Sequence, residues 1–413
     1  MAQSEKLRPI SKIQKEWAFS HCIEHYAFRL SNGRITCMDC GHSWIMEQQK
    51  DICTCPKCKA ELKVCNTKKR KCQQKQYFTL LDTSGEFQIL RMFLLVAVMW
   101  KGNKAQCYVF EIGHYLWNAA GRKAIVAIQR TWGRYVDSFL FSSPLCIRND
   151  NDAYRYVASA PIFPKFKTIE ILKRNGFEDD FHDIVPTRLI PALLSDPKAE
   201  TLLKAGQYNM LRHYLHSVLD IGRYWQSIKI CIRNGYTIQD CSTWCDMIDM
   251  LRHFGKDISN SKVVCPADLK AEHDILMQKR TKQEKRRLLM ERMAEAARYE
   301  QEYRKLKGKF FGIVITDEIL EIKVLESVAE FVEEGTAMHH CIWENKYYLK
   351  ENSLILSATI SGERIETIEV SLKTFKVIQS RGICNSFTKY HKKIIKLVNS
   401  NMEMIRRRTK STA

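Results

Sequence analysis

Acidic residues are scarce in this sequence relative to basic ones. The 413 residues include 46 Asp and Glu but 66 Lys and Arg, which gives a formal net charge of +20 at pH 7. A basic surplus of this size favours an anionic partner, most often nucleic acid and less often a membrane surface. The composition therefore predicts a DNA or RNA partner, and its 45% hydrophobic content is typical of a folded globular protein.

Long apolar segments are also missing. The longest uninterrupted apolar run, Met92–Trp100, is too short to cross a bilayer. The start, Met1–Lys6, lacks the apolar core of a signal peptide. We therefore expect no membrane span and a cytoplasmic location. The 16 cysteines fit that location, because they occur as two CxxC pairs and scattered single residues.

The common sequence signatures of nucleotide and protease sites are absent. Neither a P-loop nor a GxGxxG sequence occurs. His213 and His216 are three residues apart on a predicted helix, but no acidic residue completes an HExxH motif. Any chemistry must therefore rest on other residues.

Two CxxC knuckles form the clearest motif that is present. They read CMDC at residues 37–40 and CPKC at residues 55–58, with 14 residues between them. Four thiolates from two tight knuckles make a closed tetrahedral site, which is typical of structural zinc and leaves no open position for catalysis. Cys53 is left out because it would break the CxxC geometry. The predicted zinc ligands are Cys37, Cys40, Cys55 and Cys58.

Positive charge surrounds the predicted zinc ribbon. Lys57, Lys59 and Lys63 lie in or beside the second knuckle, and the basic run Lys68–Lys71 follows it. Zinc ribbons bind nucleic acid or protein, and these cations favour nucleic acid. The alternative is a protein-interaction adaptor whose ribbon and long helix bind protein without any chemistry.

Periodicity and turn residues indicate an α+β multidomain protein. Ile10–Arg29 has apolar residues at helical spacing, Phe87–Trp100 is β-prone, and Phe166–Gly255 returns to helical spacing. Trp132 is expected to pack in a core, and Val218 to belong to a helix. The predicted segments are an N-terminal helical segment (1–34), a zinc ribbon (35–72), an antiparallel β-rich domain (73–164), an α-helical bundle (165–260), a long basic linker helix (261–309) and a small C-terminal α/β domain with a three-stranded meander (310–413).

The linker segment lacks glycine and proline over Ala267–Lys307. A helix over these 41 residues would be about 60 Å long. Its stretch Lys279–Arg287 is strongly basic and has no apolar residue, so we expect it to be exposed. It is either a solvated spacer or a helix that contacts phosphates.

The last segment predicts a helix, three strands and a closing helix. Ile319–Val332 is amphipathic, with Gly335 as its C-terminal cap, and Tyr390–Met404 closes the domain. The predicted strands are Leu354–Ile360, Arg364–Leu372 and Phe375–Arg381.

Alternation along these strands predicts a shared polar face. Thr367 and Glu369 project together from the second strand, and Val377, Gln379 and Arg381 share a face of the third. If the two strands pair as a hairpin, Glu369 and Gln379 become near neighbours.

A histidine-cysteine pair lies in the loop before these strands, where sites are commonly built. Packing alone does not require a histidine, a thiol, a carboxylate and two amides in one small domain. We therefore predict a chemical site in this domain. The candidate catalytic residues are His340, Cys341, Glu369, Gln379 and Asn385.

These residues belong to a longer pattern. In chain order it reads Gly335-x-x-Met338-x-His340-Cys341, then Tyr347 or Tyr348, then Thr367-x-Glu369, then Gln379-x-x-Gly382-x-x-Asn385. This pattern resembles the PcfJ-like family over about residues 166–401. Members of that family are encoded by bacterial conjugative plasmids, integrative elements and phages. The resemblance implies a protein of a mobile genetic element, but it supplies no reaction, and either tyrosine can fill the family position.

Two interpretations of the candidate site are enzymatic. In one, Cys341 is a nucleophile with His340 or His339 as base and Gln379 or Asn385 as oxyanion donor. Against it, adjacent side chains point apart in an extended chain. In the other, His340, a tyrosine and Glu369 are arranged broadly as in ADP-ribosyltransferases. Either would make the protein an enzyme that acts on nucleic acid or nucleotide.

Two further interpretations involve no catalysis. A second metal site could be formed by His340, Cys341, Cys384 and His391, although their spacing is irregular. The interpretation that we favour is a polar recognition pocket or a buried hydrogen-bond network that fixes the fold.

Overall fold

A computed structural model describes residues 1–48, 50–131, 139–217 and 219–410. Trp132 and Val218 lie outside these residues. The chain forms two compact units, Met1–His273 and Asp274–Ala413. Both contain helices and β-strands, so the protein has the α+β composition that the sequence predicts. The division into six segments stays a prediction.

The first unit begins with two helices and a five-stranded sheet. Their bounds are α1 Ala2–Glu5, α2 Lys12–Cys22, β1 Tyr26–Arg29, β2 Arg34–Cys37, β3 Ser43–Ile45, β4 Ile52–Thr54 and β5 Glu61–Asn66. The strand order is β3-β2-β1-β5-β4. The β1–β5 pair is parallel, and the other pairs are antiparallel.

The predicted single helix over Ile10–Arg29 is wrong in its second half. α2 begins with a capping box in which Ser11 and Gln14 exchange side-chain to backbone hydrogen bonds, and it ends at Cys22. Tyr26–Arg29 is instead the central strand of the sheet, because it finds backbone partners on both sides. Tertiary pairing overrides the helical spacing here.

A second, antiparallel sheet follows. Its segment contains β6 Lys71–Ser84, β7 Phe87–Trp100, β8 Gln106–Trp117, β9 Lys123–Ala127, β10 Gln129–Arg130, β11 Phe139–Leu140 and β12 Cys146–Arg148. The order is β12-β9-β8-β7-β6, while β10 and β11 pair separately. One face of β6 and β7 buries Phe78, Phe93 and Leu95 in a core that includes Ala18 of α2.

The rest of the first unit is helical, in agreement with the periodicity of that region. The helices are α3 Asp152–Ala158, α4 Glu170–Arg174, α5 Pro186–Ser195, α6 Pro197–Lys204, α7 Tyr208–His216, α8 Ile221–Arg233, α9 Cys241–His253 and α10 Ser261–Val264. Their buried faces carry leucine, isoleucine and methionine at helical spacing, as in α9, where Trp244, Ile248 and Leu251 are buried.

The long helix forms as predicted. α11 spans Leu269–Lys307, so it starts in the first unit and continues through the start of the second. Residues 277–291 are all exposed, which agrees with the missing apolar face of the basic stretch. Arg287 forms ion pairs with Glu284 and Glu291 on the same helix.

The second unit is built on a five-stranded antiparallel sheet. After α11 come β13 Val314–Thr316, β14 Glu321–Val324, α12 Val328–Met338, β15 Ser353–Ile360, β16 Glu363–Ser371, β17 Lys376–Arg381, α13 His391–Ser400 and α14 Met402–Lys410. The strand order is β13-β14-β15-β16-β17. The predicted three-stranded meander is therefore present, but two further strands extend it. One sheet face packs on α13 and α14 through Ile368, Val370, Ile394 and Ile405.

Three predicted boundaries in this unit are wrong. Ile319–Val332 is not one helix, because Glu321–Val324 alternates charged and buried apolar residues and forms β14. The closing helix is divided at Asn401 into α13 and α14. Gly335 is not a cap: α12 runs on to Met338 and is capped by His339 in the left-handed conformation.

Gly335 has a different role inside α12. A Cβ added there would lie 2.9 Å from the backbone oxygen of His340. Glycine therefore lets the chain that follows the helix fold back tightly against it, which places the histidine-cysteine pair at the helix end.

Candidate functional site

The four predicted ligand cysteines form one cluster. Their sulfurs all lie within 4.8 Å of one another. Cys37 Sγ is 3.8 Å from Cys58 Sγ, and Cys40 Sγ is 3.6 Å from Cys55 Sγ. Four sulfurs bound to one tetrahedral zinc at about 2.3 Å lie about 3.8 Å apart. The cluster could therefore hold a metal ion, and its geometry is consistent with zinc.

Both knuckles have the same hydrogen-bonded backbone turn. The amide of Gly41 donates to the carbonyl of Cys37, and the amide of Lys59 donates to the carbonyl of Cys55, each at 3.0 Å. Gly41 and Lys59 both have positive φ, 76° and 64°. Each turn thus directs the two sulfurs of its knuckle to the same side. Burial raises the pKa of the Cys37 thiol, so a cation is needed to hold it as a thiolate.

The ribbon packs on the turn between β7 and β8. The amide of Ala105 donates to the carbonyl of Asp39 at 2.8 Å. A Cβ on Gly41 would lie 2.5 Å from the carbonyl carbon of Gly102. This close approach fixes the first knuckle against the second sheet.

Three cations meet beside this junction. Arg34, Arg70 and Lys101 are close enough that burial, followed by the charges of the two arginines, lowers the pKa of Lys101. The backbone amide of Lys101 donates to the carbonyl of Arg70 at 2.9 Å. Within the described part of the chain, none of the three forms an ion pair with a carboxylate. The cluster is therefore an uncompensated positive patch.

The lysines predicted to favour nucleic acid are not all alike. Lys57, Lys59 and the run Lys68–Lys71 are exposed. Lys63, in contrast, is paired with Glu24 across the ribbon. Its charge is compensated within the fold, so it adds little to an anion-binding surface.

The second candidate site is a pocket of about 290 Å³ in the C-terminal unit. The five residues that the sequence singles out, His340, Cys341, Glu369, Gln379 and Asn385, all line it. Its other walls come from Ile342, Asn345, Tyr347, Ile355, Thr367 and Arg381. The predicted convergence of these residues is present, whereas a catalytic role for them stays a prediction.

His340 is buried by its contacts within the protein. Its Nε2 lies 2.8 Å from the carbonyl of Gly382 and so donates a hydrogen bond to it. Its Nδ1 lies 3.1 Å from Oγ1 of Thr367. Both ring nitrogens are therefore engaged. Cys341 is exposed, whereas His340 is 8% exposed, and the ring nitrogens of His340 contact groups other than the Cys341 thiol.

Glu334 is the residue behind His340 that sequence reasoning missed. Its side chain is fully buried. Oε1 accepts from the hydroxyl of Thr367 at 2.7 Å, and Oε2 accepts from Ser357 at 2.9 Å and from Arg364 Nε at 2.8 Å. A chain of hydrogen bonds thus runs from Glu334 through Thr367 to His340. The signal was available, because Glu334 lies between buried Phe331 and Met338 on one helical face.

Glu369 and Gln379 meet as predicted. They are direct cross-strand partners, and Gln379 Nε2 donates to Glu369 Oε2 at 2.8 Å. Ser353 Oγ donates to the other carboxylate oxygen at 2.5 Å. The predicted shared face of Val377 and Gln379 is wrong, however. A bulge at Ile378 shifts the register, so Val377 packs in the core on the opposite face.

The two adjacent tyrosines have different environments. Tyr348 is 1% exposed and packs in a core with Phe331 and Trp343. Tyr347 lines the pocket, with its hydroxyl 3.5 Å from Gln379 Nε2. Tyr347 is therefore the tyrosine at the candidate site.

The other residues that line the pocket have polar atoms that a ligand could contact. The guanidinium of Arg381 stacks on Phe387 at 4.4 Å and forms no ion pair among the described residues. Asn385 sits in the left-handed conformation with φ of 60°. The pocket thus offers a thiol, a guanidinium, amides and a phenol at its open side.

The proposed second metal site is wrong. Within the described residues, the only group of three or more ligands close enough to hold a metal is the four-cysteine cluster. His391 instead bonds through Nδ1 to Glu366 Oε2 at 2.9 Å, on the sheet face opposite the pocket. The cause is alternation along β16, which sends Glu366 and Thr367 to opposite faces.

Glu366 is a second buried carboxylate that sequence reasoning missed. It accepts hydrogen bonds from Ser380, Thr388 and His391. Burial alone would raise the pKa of Glu366, but these hydrogen bonds outweigh it and hold the pKa below its ordinary value. This carboxylate ties α13 to the sheet rather than lining the pocket.

Comparison with protein families finds a match for part of the chain. The family model described as PcfJ-like protein matches residues 243–395. This part of the chain is PcfJ-like. The match covers α12, the three strands of the meander and every residue lining the pocket. No curated protein and no solved structure matches the chain.

The match begins within α9 and so leaves the ribbon and the second sheet unmatched. Within the described residues, no helix is long and apolar enough to cross a membrane.

Proposed function

We propose that this PcfJ-like protein belongs to a bacterial mobile genetic element and binds nucleic acid through its first unit. The observation that carries the proposal is the patch formed by Arg34, Arg70 and Lys101 beside the ribbon. Three cations held together without carboxylate partners repel one another, and phosphates relieve that repulsion. The exposed run Lys68–Lys71 extends the same surface.

In this proposal the metal of the ribbon is zinc. Cys37, Cys40, Cys55 and Cys58 would hold it, and their four thiolates complete its coordination. The ion supplies folding energy to a small sheet and no catalysis. A reducing cytoplasm suits this role, and the 16 cysteines, all of which lie in the described residues, are free thiols.

The C-terminal pocket serves as a recognition site in the same proposal. His340 and Glu334 belong to the buried network that shapes the pocket, and the ligand meets Cys341, Tyr347 and Arg381. The observation behind this division is that both ring nitrogens of His340 are occupied by protein groups. A thiol–imidazole pair would need one nitrogen directed at Cys341.

An enzyme that acts on nucleic acid or nucleotide is the second candidate function. The observation that favours it is the order and convergence of His340, Tyr347 and Glu369 in one pocket. It predicts turnover that disappears in Glu369→Gln while the fold is kept. A protein-interaction adaptor would instead bind neither nucleic acid nor nucleotide.

The test is equilibrium binding of the metal-loaded full chain to labelled DNA and RNA across a salt series, read by fluorescence anisotropy. We expect binding that weakens steeply as salt rises, because phosphate contacts release counterions. The triple variant Arg34→Gln, Arg70→Gln, Lys101→Gln should bind more weakly and with a shallower salt slope. The matched control is Lys229→Gln, an exposed lysine of α8. Absence of binding at low salt would contradict the proposal and favour the adaptor.

A further inference from the structure

The second sheet of the first unit leaves part of one face uncovered. The register places Tyr77, Leu94 and Phe110 in one row across β6, β7 and β8. Lys75, Val96 and Tyr108 form the next row, Gln73, Val98 and Gln106 the next, and Lys71 pairs with Trp100 at the end. Directly paired residues project from the same side of a sheet. These side chains therefore share one face, which we call the open face.

Large aromatic rings on this face are exposed. Trp100 is 44% exposed, Tyr108 48% and Phe110 42%. Phe141, 47% exposed, packs beside Phe110 with its ring centroid 5.5 Å away. The opposite side of the same strands is the buried core of Phe93, Leu95 and Met99. Exposure of so many rings on a folded sheet indicates a contact surface rather than chance.

The charge of the open face is entirely positive. Residues 71–77, 94–100 and 106–110 contain no Asp or Glu, and the connecting turn 101–105 adds two lysines. Lys71 Nζ lies 5.0 Å from the centre of the Trp100 ring. Lys101, which belongs to the patch with Arg34 and Arg70, follows Trp100 directly. The cations therefore lie beside the rings as well as at one end of the face.

Rings interleaved with lysines fit one class of partner. Single-stranded nucleic acid is bound by aromatic side chains that stack on unpaired bases and by cations that follow the backbone. Tyr108 and Phe110 are two residues apart, or about 7 Å along the strand. Trp100 lies about 14 Å further along the sheet, since it is four residues beyond Val96 on β7. The rings can thus contact several bases in turn, whereas a duplex keeps its bases stacked and out of reach.

We propose that the open face binds single-stranded DNA or RNA by stacking bases on Trp100, Tyr108 and Phe110. The inference rests on the proposed function and names the form of its nucleic acid. Lys71 and Lys75 contact the phosphates, and the patch of Arg34, Arg70 and Lys101 receives the strand where it leaves Trp100.

The test compares a single-stranded oligonucleotide of about 12 residues with a duplex of the same length. Oligo(dT) and oligo(U) serve as single strands because they stack little on themselves. We expect the full chain to prefer the single strands by about tenfold or more, and Trp100→Ala to weaken that binding by about tenfold. The combined variant Trp100→Ala, Tyr108→Ala, Phe110→Ala should lose the preference.

Two controls separate stacking from misfolding. Tyr108→Phe keeps the ring and should bind like the natural protein. Ile147→Ala removes a more exposed apolar side chain, 68% exposed on β12 at the other edge of the sheet, and should have no effect. Circular dichroism and thermal unfolding of each variant check that the sheet is intact.

The outcomes distinguish this inference from the function on which it rests. Equal binding of single strand and duplex, or unchanged binding of the combined variant, overturns the inference that the open face binds single strands. The proposed nucleic-acid binding by the first unit would still stand. Failure of the natural protein to bind any of these probes overturns both, and a protein partner would then be the occupant of the face.

Discussion

The ribbon and the C-terminal pocket are assembled over very different distances along the chain. Each knuckle of the ribbon closes within four residues through a turn that its own sequence dictates, as the Gly41-to-Cys37 hydrogen bond shows. The pocket depends on contacts such as His340 to Gly382, which are 42 residues apart. Spacing alone therefore predicts the cluster of the four cysteines, whereas the contacts of the pocket residues are decided only by the fold.

The largest effect that we predict is the loss of metal from variants of the ligand cysteines, which variants of the other cysteines of the first unit should not show. Cys37→Ser should abolish metal binding and unfold the ribbon, because the metal supplies most of the folding energy of so small a sheet. Metal content and hydrogen exchange of β1 to β5 are the measurements. Cys53→Ser is the matched control, since Cys53 lies on β4 outside the cluster, and it should keep its metal. Equal loss of metal in both variants would contradict the assignment of Cys37 as a ligand.

In the second unit the largest effect should come from Glu334. Glu334→Ala removes the acceptor of Thr367, Ser357 and Arg364, so we expect the free energy of unfolding to fall by about 3–5 kcal/mol. Chemical denaturation followed by circular dichroism measures this fall.

The control for Glu334 is the neighbouring carboxylate. Glu333→Ala, at a side chain 52% exposed, should change stability by about 0.5 kcal/mol or less. Similar losses in both variants would show that the buried network contributes little.

Variants of the histidine-cysteine pair should change stability less, but they distinguish a structural role from a catalytic one. His340→Ala leaves the Gly382 carbonyl without its donor and removes one contact of Thr367, which keeps Glu334 as a partner, so we expect a loss of about 1–3 kcal/mol. Cys341→Ser should be neutral for stability, since its side chain is exposed. Thermal unfolding of the two variants measures the difference. A catalytic pair would show the reverse pattern: little change in stability and a shared loss of turnover.

The smallest effect that we predict is a dependence of stability on pH in the acid range. The pKa of Glu366 is held below its ordinary value of 4.5, so its ionised form stabilises the fold. That contribution is complete above pH 4.5 and is lost as the pH falls through the lower, folded-state pKa. The stability of Glu366→Gln should therefore change less with pH in this acid range. Urea unfolding at a series of pH values tests it, and identical slopes for the two proteins would contradict it.

The sequence predicts the ribbon site almost completely, because a CxxC knuckle is a local structure. It misses the strand Tyr26–Arg29, which has helical spacing and becomes a strand only when β2 and β5 pair with it. The limit in this case is tertiary pairing, which no local window contains.

The candidate pocket was predictable in its membership but not in its organisation. Alternation along β16 correctly placed Thr367 and Glu369 on one face, and pairing brought Gln379 beside Glu369. The bulge at Ile378 could not be foreseen, since no turn residue marks it. The position of Glu334 between apolar Phe331 and Met338 on one helical face indicates burial. Its three partners are distant along the chain, and only the fold brings them to it.

The open face was also not predictable from the sequence alone. Met92–Trp100 reads as a continuous apolar run, which is typical of a strand that is buried on both sides. Pairing with β8 places one side of its C-terminal half beside Tyr108 and Phe110, whose rings are exposed. The charge pattern of the neighbouring lysines becomes meaningful only with that register.

Ultraviolet cross-linking of a uridine-rich strand to the metal-loaded full chain, followed by mass spectrometry, would identify the residues that contact nucleic acid. We expect cross-links in peptides that contain Trp100, Tyr108 or Phe110, and competition by unlabelled single strand but not by duplex. Cross-links confined to residues 274–410 would contradict this expectation, because they would move nucleic-acid binding to the unit with the buried network.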